Sequence, residues 1–343
     1  MADALLSPGM GTAMLAASAA TTAYCARKVQ NRLDDKKIPL MGVLGAFVFT
    51  AQMINFAIPG TGSSGHLGGG LLLAILLGPH AAFLTIASIL TVQALFFADG
   101  GLLALGCNIF NLGFIPCLIA YPFVYKKITG SHPTQLKLFA GSVLAAIAGL
   151  QLGALGVVVQ TFLSGISALP FSSFLIMMQP IHLAIGFVEG LATAGVVSFI
   201  WKARPEILDR AVHEQPLDNL RVRNITAGLL ALTVITGGIL SWYASENPDG
   251  LEWSIEKVTG SMELESHGQP LHGTLASIQE KTSPMPDYTF RQEDSGLEPS
   301  QEDTRKETTL AGIFGGILVL VLVMLMGFVL KKRKTLFNCN SSA

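Results

Sequence analysis

Charge is what this chain of 343 residues has least of. Asp, Glu, Lys and Arg make up 13% of it and hydrophobic residues 50%, so its charged share is about half that of an average soluble domain. With a mean hydropathy of +0.53, that balance excludes an ordinary soluble globule. Cysteine is also scarce: Cys25, Cys107, Cys117 and Cys339 show no C-x-x-C spacing, and reduced, unpaired thiols are the expectation. No G-x-x-x-x-G-K-[ST] stretch occurs, so the chain brings no P-loop with which to hydrolyse a nucleotide. H-E-x-x-H is missing too, which removes the usual helical zinc-hydrolase signature. No basic segment precedes the first apolar run, and Arg27 and Lys28 follow it at once; a cleaved signal peptide is not expected.

Long apolar runs are what the chain has instead. They fall at 9–26, 39–58, 67–78, 80–97, 101–124, 136–163, 174–201, 224–243 and 310–330, most long enough to cross a bilayer core as helices. The fold class expected is all-α, a polytopic integral membrane helix bundle. The run at 67–78 is short, which points to a partly re-entrant segment.

Basic residues set the orientation, because Lys and Arg collect on the cytoplasmic side of membrane spans. Seventeen of the 22 lie in five segments: Arg27 to Lys37, Lys126 to Lys137, Lys202 to Arg210, Arg221 with Arg223, and Lys331 to Lys334. Alternating nine spans places all five on one side. The N-terminus, the glycine-rich stretch, Asp99 and segment 244–309 then share the external side. That segment carries 14 Asp/Glu against five Lys/Arg.

Residues 59–70 read PGTGSSGHLGGG. Gly60 to Gly65 match G-x-G-x-x-G literally, but a dinucleotide fingerprint needs a preceding strand, a following helix and an acid about 20 positions on. The next acid after Gly65 is Asp99. The other reading is a tightly folded, non-helical backbone at membrane depth, tolerated where it is buried or lines a cavity. His66 then faces either a shaped external pocket or solvent.

Ionisable groups within the spans are functional suspects because burying them in lipid is costly. Asp3, Asp99 and Glu189 remain near or inside the bilayer, together with His182 and the amides Gln52, Asn55, Gln93, Asn108, Asn111, Gln151, Gln160 and Gln179. Single amides serve as glue between helices; their number argues for a polar interior. His182 and Glu189 are seven residues apart on one helix face, and the neighbouring Gly186, Gly190 and Ala192 favour mutual bracing over a path. His80, at an inner Gly-Pro turn, reads as structural. His132, His213, His267 and His272 fall in solvated segments. In the first span, Ala13, Ala17 and Thr21 form one row of small residues and Thr12, Ala16 and Ala20 another, open to a partner or a neighbouring span.

ADALLSP, QMINFAIPGTGSSGHLGGGLL, VQALFFADGGLLALGCNIFNLGF and HLAIGFVEGLATA resemble the CbiM/NikM family, the substrate-binding S components of energy-coupling factor transporters for cobalt and nickel. That resemblance runs over about residues 2–200. After the basic linker, one span, an acidic loop with NPDGLEWSIEKV and PMPDYTF, and a final span resemble the small N component with its PDGLE motif, here Pro248 to Glu252. The domains implied are a metal-binding membrane domain at 1–202, a cytoplasmic linker at 203–223 and an N-like module at 224–343 with external loop 244–309. Parity agrees with seven spans followed by two.

The family implies capture of Ni2+ or Co2+ as transported substrate on the outer face of a bacterial inner membrane, with the N-terminus external and the C-terminus cytoplasmic. A separate T component and ATPases then move it inward; the lipid bilayer is the other partner, and no nucleic acid is expected. The family's ligands are the N-terminal amine, the amide and imidazole of a histidine after the initiator methionine, and the histidine of the glycine-rich loop. His66 matches the last and Met1 the first. Four nitrogens in a plane suit Ni(II) well and Co(II) acceptably.

Here the chain begins Met-Ala-Asp instead of Met-His-x-x-Asp. The match of ADALLSP to the family leads to the expectation of an authentic start two residues upstream, Met-His-Met-Ala-Asp. The alternative is a true Met-Ala terminus, with a site of Ala2 amine, His66 and water. Two rival functions stand beside transport: an intramembrane enzyme using His182, Glu189 and a bound metal, and a sensor or scaffold whose acidic loop binds metal loosely.

Overall fold

In a computed structural model of the chain, residues 1–30, 33–167, 169–217, 220, 222–261, 270–290 and 301–340 are described. Arg32, Arg221 and His267 lie outside the described residues, as do the side chains of Arg333, Lys334 and Cys339. Apolar runs become helices because a helix satisfies its own backbone where no water is available. Among the described residues, five helices are long and apolar enough to cross a membrane: α4 (Pro79–Phe96), α5 (Leu105–Thr129), α6 (Gln135–Ser164), α7 (Phe171–Ala203) and the Arg305–Lys332 part of α12 (Gln301–Asn340). Helix α1 (Pro8–Gln30) opens on a proline and closes on Arg27 and Lys28, both favourable at those ends. Helix α2 (Lys37–Gln52) is apolar but shorter.

Two of the expected runs fold otherwise. The run at 39–58 stops being helical after Gln52, and Phe56–Ile58 (β1) pairs antiparallel with Ser63–Gly65 (β2), with Phe56 opposite Gly65 and Ile58 opposite Ser63. The reversal passes through Gly60 and Gly62 at φ 77° and 74°, backbone that side-chain-bearing residues rarely adopt. An all-α description therefore misses this hairpin. The run at 67–78 contributes only α3 (Gly70–Leu77), eight residues and all of them buried. At about 12 Å, it is less than half the ~30 Å of a bilayer core, and forms a connector inside the protein.

Helices α6 and α7 pack closely because glycine removes the side chain between them: a Cβ on Gly190 would sit 2.6 Å from the Cα of Val143, and one on Gly186 2.9 Å from that of Ile147. The small residues beside His182 and Glu189 are thus a helix interface, as expected. The C-terminal half adds α8 (Pro205–Val212), α9 (Arg223–Gly238), α10 (Gly250–Thr259), α11 (Pro270–Thr282) and α12. Helix α12 lies along α2, where a Cβ on Gly42 would meet Met324 at 2.9 Å, and it touches α9 where Gly237 and Gly312 come together. The small-residue rows of α1 stay mostly exposed, while Ser18 on its other face donates to the Gly106 carbonyl at 2.7 Å.

The basic segments gather at one end. There His80 meets Glu214 at 3.0 Å, Lys126 donates to the Val212 carbonyl, Lys331 pairs with Asp35, and the Leu217 N–H donates to Asp34. Hairpin, chain start and described parts of 244–309 meet elsewhere, around the cavity described next. Cys25, Cys107 and Cys117 are buried and free.

Candidate metal centre

The glycine-rich stretch is shaped by close contacts. Gly69 takes φ 73°, and a Cβ on it would lie 2.4 Å from Val48; one on Gly70 would lie 2.5 Å from the Leu112 carbonyl oxygen. The backbone between β2 and α3 is thereby pressed into the helix bundle. Its N–H groups need partners there, and Glu189 of α7 supplies them. The Gly68 and Gly69 N–H groups donate to the two carboxylate oxygens at 2.8 and 3.1 Å, with Glu189 only 4% exposed. On the other side, Gln52 donates to the Gly68 carbonyl at 2.8 Å.

This clamp leaves His66 on the wall of a cavity of about 100 Å³ whose lining also includes Met1, Asn108, Asn111, His182 and Asp249. The ring of His182 donates Nδ1–H to the Met178 carbonyl at 2.8 Å, since a carbonyl can only accept. Its Nε2 is then the acceptor or ligand nitrogen. His66 makes the same kind of bond from Nδ1 to the Leu67 carbonyl at 3.2 Å. His182 and Glu189 therefore have different partners and do not brace one another: Glu189 holds the loop, and His182 faces the cavity. Seven-residue spacing puts both on one face but says nothing of what each meets.

The chain start is held just as specifically. Asp3 accepts from the Ala104 N–H at 2.9 Å, and the Met1 carbonyl accepts from Gly101 N–H at 3.2 Å and Asn108 Nδ2 at 3.4 Å. Asp3 is thus a fastener for the terminus. Asn111 and Gln160 exchange reciprocal bonds at 2.8 and 3.2 Å, and Gln151 and Gln179 bridge α6 to α7 through each other's carbonyls. Among the described residues, no three His, Cys, Asp or Glu side chains converge into a metal cluster.

The C-terminal half closes over the site. Asp249 caps α10 by accepting from the Leu251 and Glu252 N–H groups at 2.8 Å each, while Glu252 accepts from the Asp249 N–H at 3.1 Å. PDGLE is thus a capping box, and it places Asp249, Gly250 and Leu251 on the cavity wall. The D-x-x-E spacing signals the helix start; it carries no sign of the cavity. Ser64 binds back to Pro248 and Asn247, and Trp253 Nε1 donates to the Thr61 carbonyl at 3.0 Å. His272, expected in a solvated segment, is buried with Nε2 donating to the Leu6 carbonyl at 2.9 Å. In the same layer, burial raises the Glu252 carboxyl above its ordinary range, with the charge of Asp249 adding to the effect.

Two family models match parts of the chain. The model of the family described as "Cobalt uptake substrate-specific transmembrane region" matches residues 1–207, and that of the PDGLE domain matches 223–332. A putative fused nickel transport protein NikMN of Archaeoglobus fulgidus is 35% identical, covering 85% of this chain and 86% of its own. The fused nickel transport protein NikMN of Rhodobacter capsulatus is 30% identical, over 83% of this chain and 87% of its own. A crystal structure of a transition metal transporter, 31% identical, superposes with a TM-score of 0.53 over 59% of this chain and 92% of its own. The chain belongs to the CbiM family of cobalt uptake substrate-specific transmembrane regions, carried here in one polypeptide with a PDGLE domain.

Proposed function

We propose that this chain is the substrate-capture subunit of an ATP-driven energy-coupling factor importer for Ni2+, Co2+ or both. The observation that carries this reading is the meeting of His66 and the start of the chain on one small cavity, held from behind by Glu189. The His66 imidazole supplies a nitrogen donor beside Met1 on the same cavity wall, where the native chain start would add its amine and backbone nitrogens, and a planar nitrogen set suits Ni(II) and then Co(II). Residues 1–202 form the capture domain, 203–223 the linker and 224–343 the module that governs loading. A T component and ATPases on the cytoplasmic side do the work, since the chain has no P-loop. The basic end faces the cytoplasm of a bacterial inner membrane, and nine crossings, seven and then two, complete the topology, the third made inside the protein by α3 together with the extended residues before it.

An intramembrane hydrolase built on His182 and Glu189 fits less well. Both Glu189 oxygens are taken by backbone N–H groups, so the carboxylate is not free to activate water. A sensor whose acidic loop binds metal loosely leaves the clamped His66 without a role. The test is nickel and cobalt uptake by cells carrying the wild-type chain or His66→Ala, with and without the partner ATPases. Uptake that needs both His66 and the ATPases is the expected result. Uptake by His66→Ala at the wild-type rate overturns the assignment.

A further inference from the structure

A single hydrogen-bonded chain connects the C-terminal half to the peptide beside His66. Tyr288 lies in the turn Pro286–Tyr288, stacked on Phe97 with ring centroids 4.9 Å apart. Its hydroxyl bonds the Asp99 carboxylate. Gln93 Nε2 lies 3.3 Å from that hydroxyl and 3.2 Å from Gln52 Oε1, and Gln52 Nε2 lies 2.8 Å from the Gly68 carbonyl.

The chemistry of its ends fixes which group donates at each link. An ionised carboxylate only accepts, so the Tyr288 hydroxyl donates to Asp99 and its oxygen accepts from Gln93. Gln93 then presents its NH2 group to Gln52, whose carbonyl accepts. That orientation turns the Gln52 NH2 group toward Gly68, whose carbonyl can only accept. The bonds run outward from the Gln93 NH2 group, one branch through Tyr288 to Asp99 and the other through Gln52 to the Gly68 carbonyl, and each link fixes which way the next group faces. Both glutamines are buried, at 6% and 5% exposure, and an amide turned the wrong way there leaves two groups unsatisfied.

The turn bearing Tyr288 is itself fastened to the end of α4. The Asp287 N–H donates to the Phe97 carbonyl at 2.8 Å, and Gln279 of α11 donates to the Ala94 and Gly100 carbonyls at 2.9 and 2.7 Å. Asp287 and Tyr288 both hold positive φ, 49° and 62°. Non-glycine residues seldom pay that conformational cost without tertiary support.

We propose that Tyr288 is a positioning residue for the His66 loop: through Gln93 and Gln52 its hydroxyl fixes the Gly68 peptide, so docking of the 285–289 turn sets the loop that presents His66. This rests on the metal site proposed above for its consequence in binding, but not for its geometry. Gly68 is then gripped at its N–H by Glu189 from the first half and at its carbonyl by a chain that passes through Tyr288 of the second.

Hydrogen exchange of the purified full chain in detergent, without metal, tests the geometry. Tyr288→Phe keeps the stacked ring and removes the hydroxyl. Amide exchange in peptides covering 63–70 should accelerate about 2- to 12-fold, the worth of one net hydrogen bond. The double variant with Gln52→Met should exchange no faster than Gln52→Met alone, because both lie on one path. Unchanged exchange in Tyr288→Phe, or effects that simply add, overturns the proposal. Should Tyr288→Phe fail to fold, Asp99→Ala removes the acceptor that holds the Tyr288 hydroxyl, and unchanged exchange at 63–70 in that variant overturns it equally. Nickel titration of the same proteins adds the second readout: a 2- to 12-fold weaker Kd for Tyr288→Phe that disappears in the Gln52→Met background. If the wild-type chain binds no nickel, the proposed metal site fails while the exchange data still decide the role of Tyr288.

Discussion

Replacing Glu189 by Gln changes one atom at the grip behind the metal loop. The carboxylate accepts from two backbone N–H groups at 2.8 and 3.1 Å, and the amide has one oxygen and one NH2 group in the same place. One N–H is therefore left facing a donor in a buried site. Hydrogen bonds to a charged acceptor contribute about 1.5–3 kcal/mol, and an orphaned buried donor costs about 1–3 kcal/mol. Taking the loss of one such bond as acting on loop position alone, nickel affinity falls about 10- to 150-fold, since about 1.4 kcal/mol is a factor of ten. Glu189→Asp keeps the charge but draws it back by one methylene, and belongs between wild type and Gln. Calorimetric titration of nickel into the purified chain reads these differences, with thermal unfolding as a control for global damage. A Glu189→Gln protein that binds nickel within twofold of wild type refutes the view that this carboxylate holds the loop in its binding shape.

Other perturbations separate the parts of the site. Gly69→Ala combines an unfavourable φ of 73° with a contact of 2.4 Å to Val48, and a loss of about 1–3 kcal/mol in thermal stability is expected; unaltered unfolding counts against the fixed loop. Deleting 203–343 should impair uptake more than equilibrium nickel binding, because that half shapes and covers the cavity without supplying the nitrogen donors; loss of all affinity in purified 1–202 places a ligand in the deleted half. Asp249→Ala removes the capping box, costing α10 about 1 kcal/mol, and slowed loading with little change in final occupancy is the outcome to look for in stopped-flow mixing. Burial, reinforced by the Asp99 charge, holds the Asp287 carboxyl above its usual range. The folded form thus binds that proton more tightly than the unfolded one, so docking of the 285–289 turn strengthens as pH falls through the raised value. Asp287→Asn should flatten that dependence when exchange in the turn is followed against pH.

Much of this architecture is legible in the sequence because the cause is local. Low charge and long apolar runs dictate membrane helices, and small residues at 186 and 190 announce a close helix contact. Crowding of glycines around His66 marks backbone that must bend where side chains cannot fit. The hairpin is less visible: Phe56 to Ile58 is apolar like the run before it, and the positive φ of Gly60 and Gly62 serves the reversal that pairs it with Ser63 to Gly65, not the end of the helix at Gln52. Partners distant in the chain leave no trace in spacing. Gly68 and Glu189 are 121 residues apart, and Gln93 and Tyr288 195, so neither the loop clamp nor the role of Asp99 follows from periodicity. His272 shows the same limit in reverse, a polar neighbourhood in sequence that folds against the chain start.

X-ray absorption of the nickel-loaded full chain, compared with His66→Ala, reads the metal's ligands themselves. The expected spectrum is a low-coordinate shell of nitrogen donors with imidazole scattering that is lost in His66→Ala along with tight binding. A shell dominated by carboxylate oxygens, or one unchanged by the substitution, would contradict it.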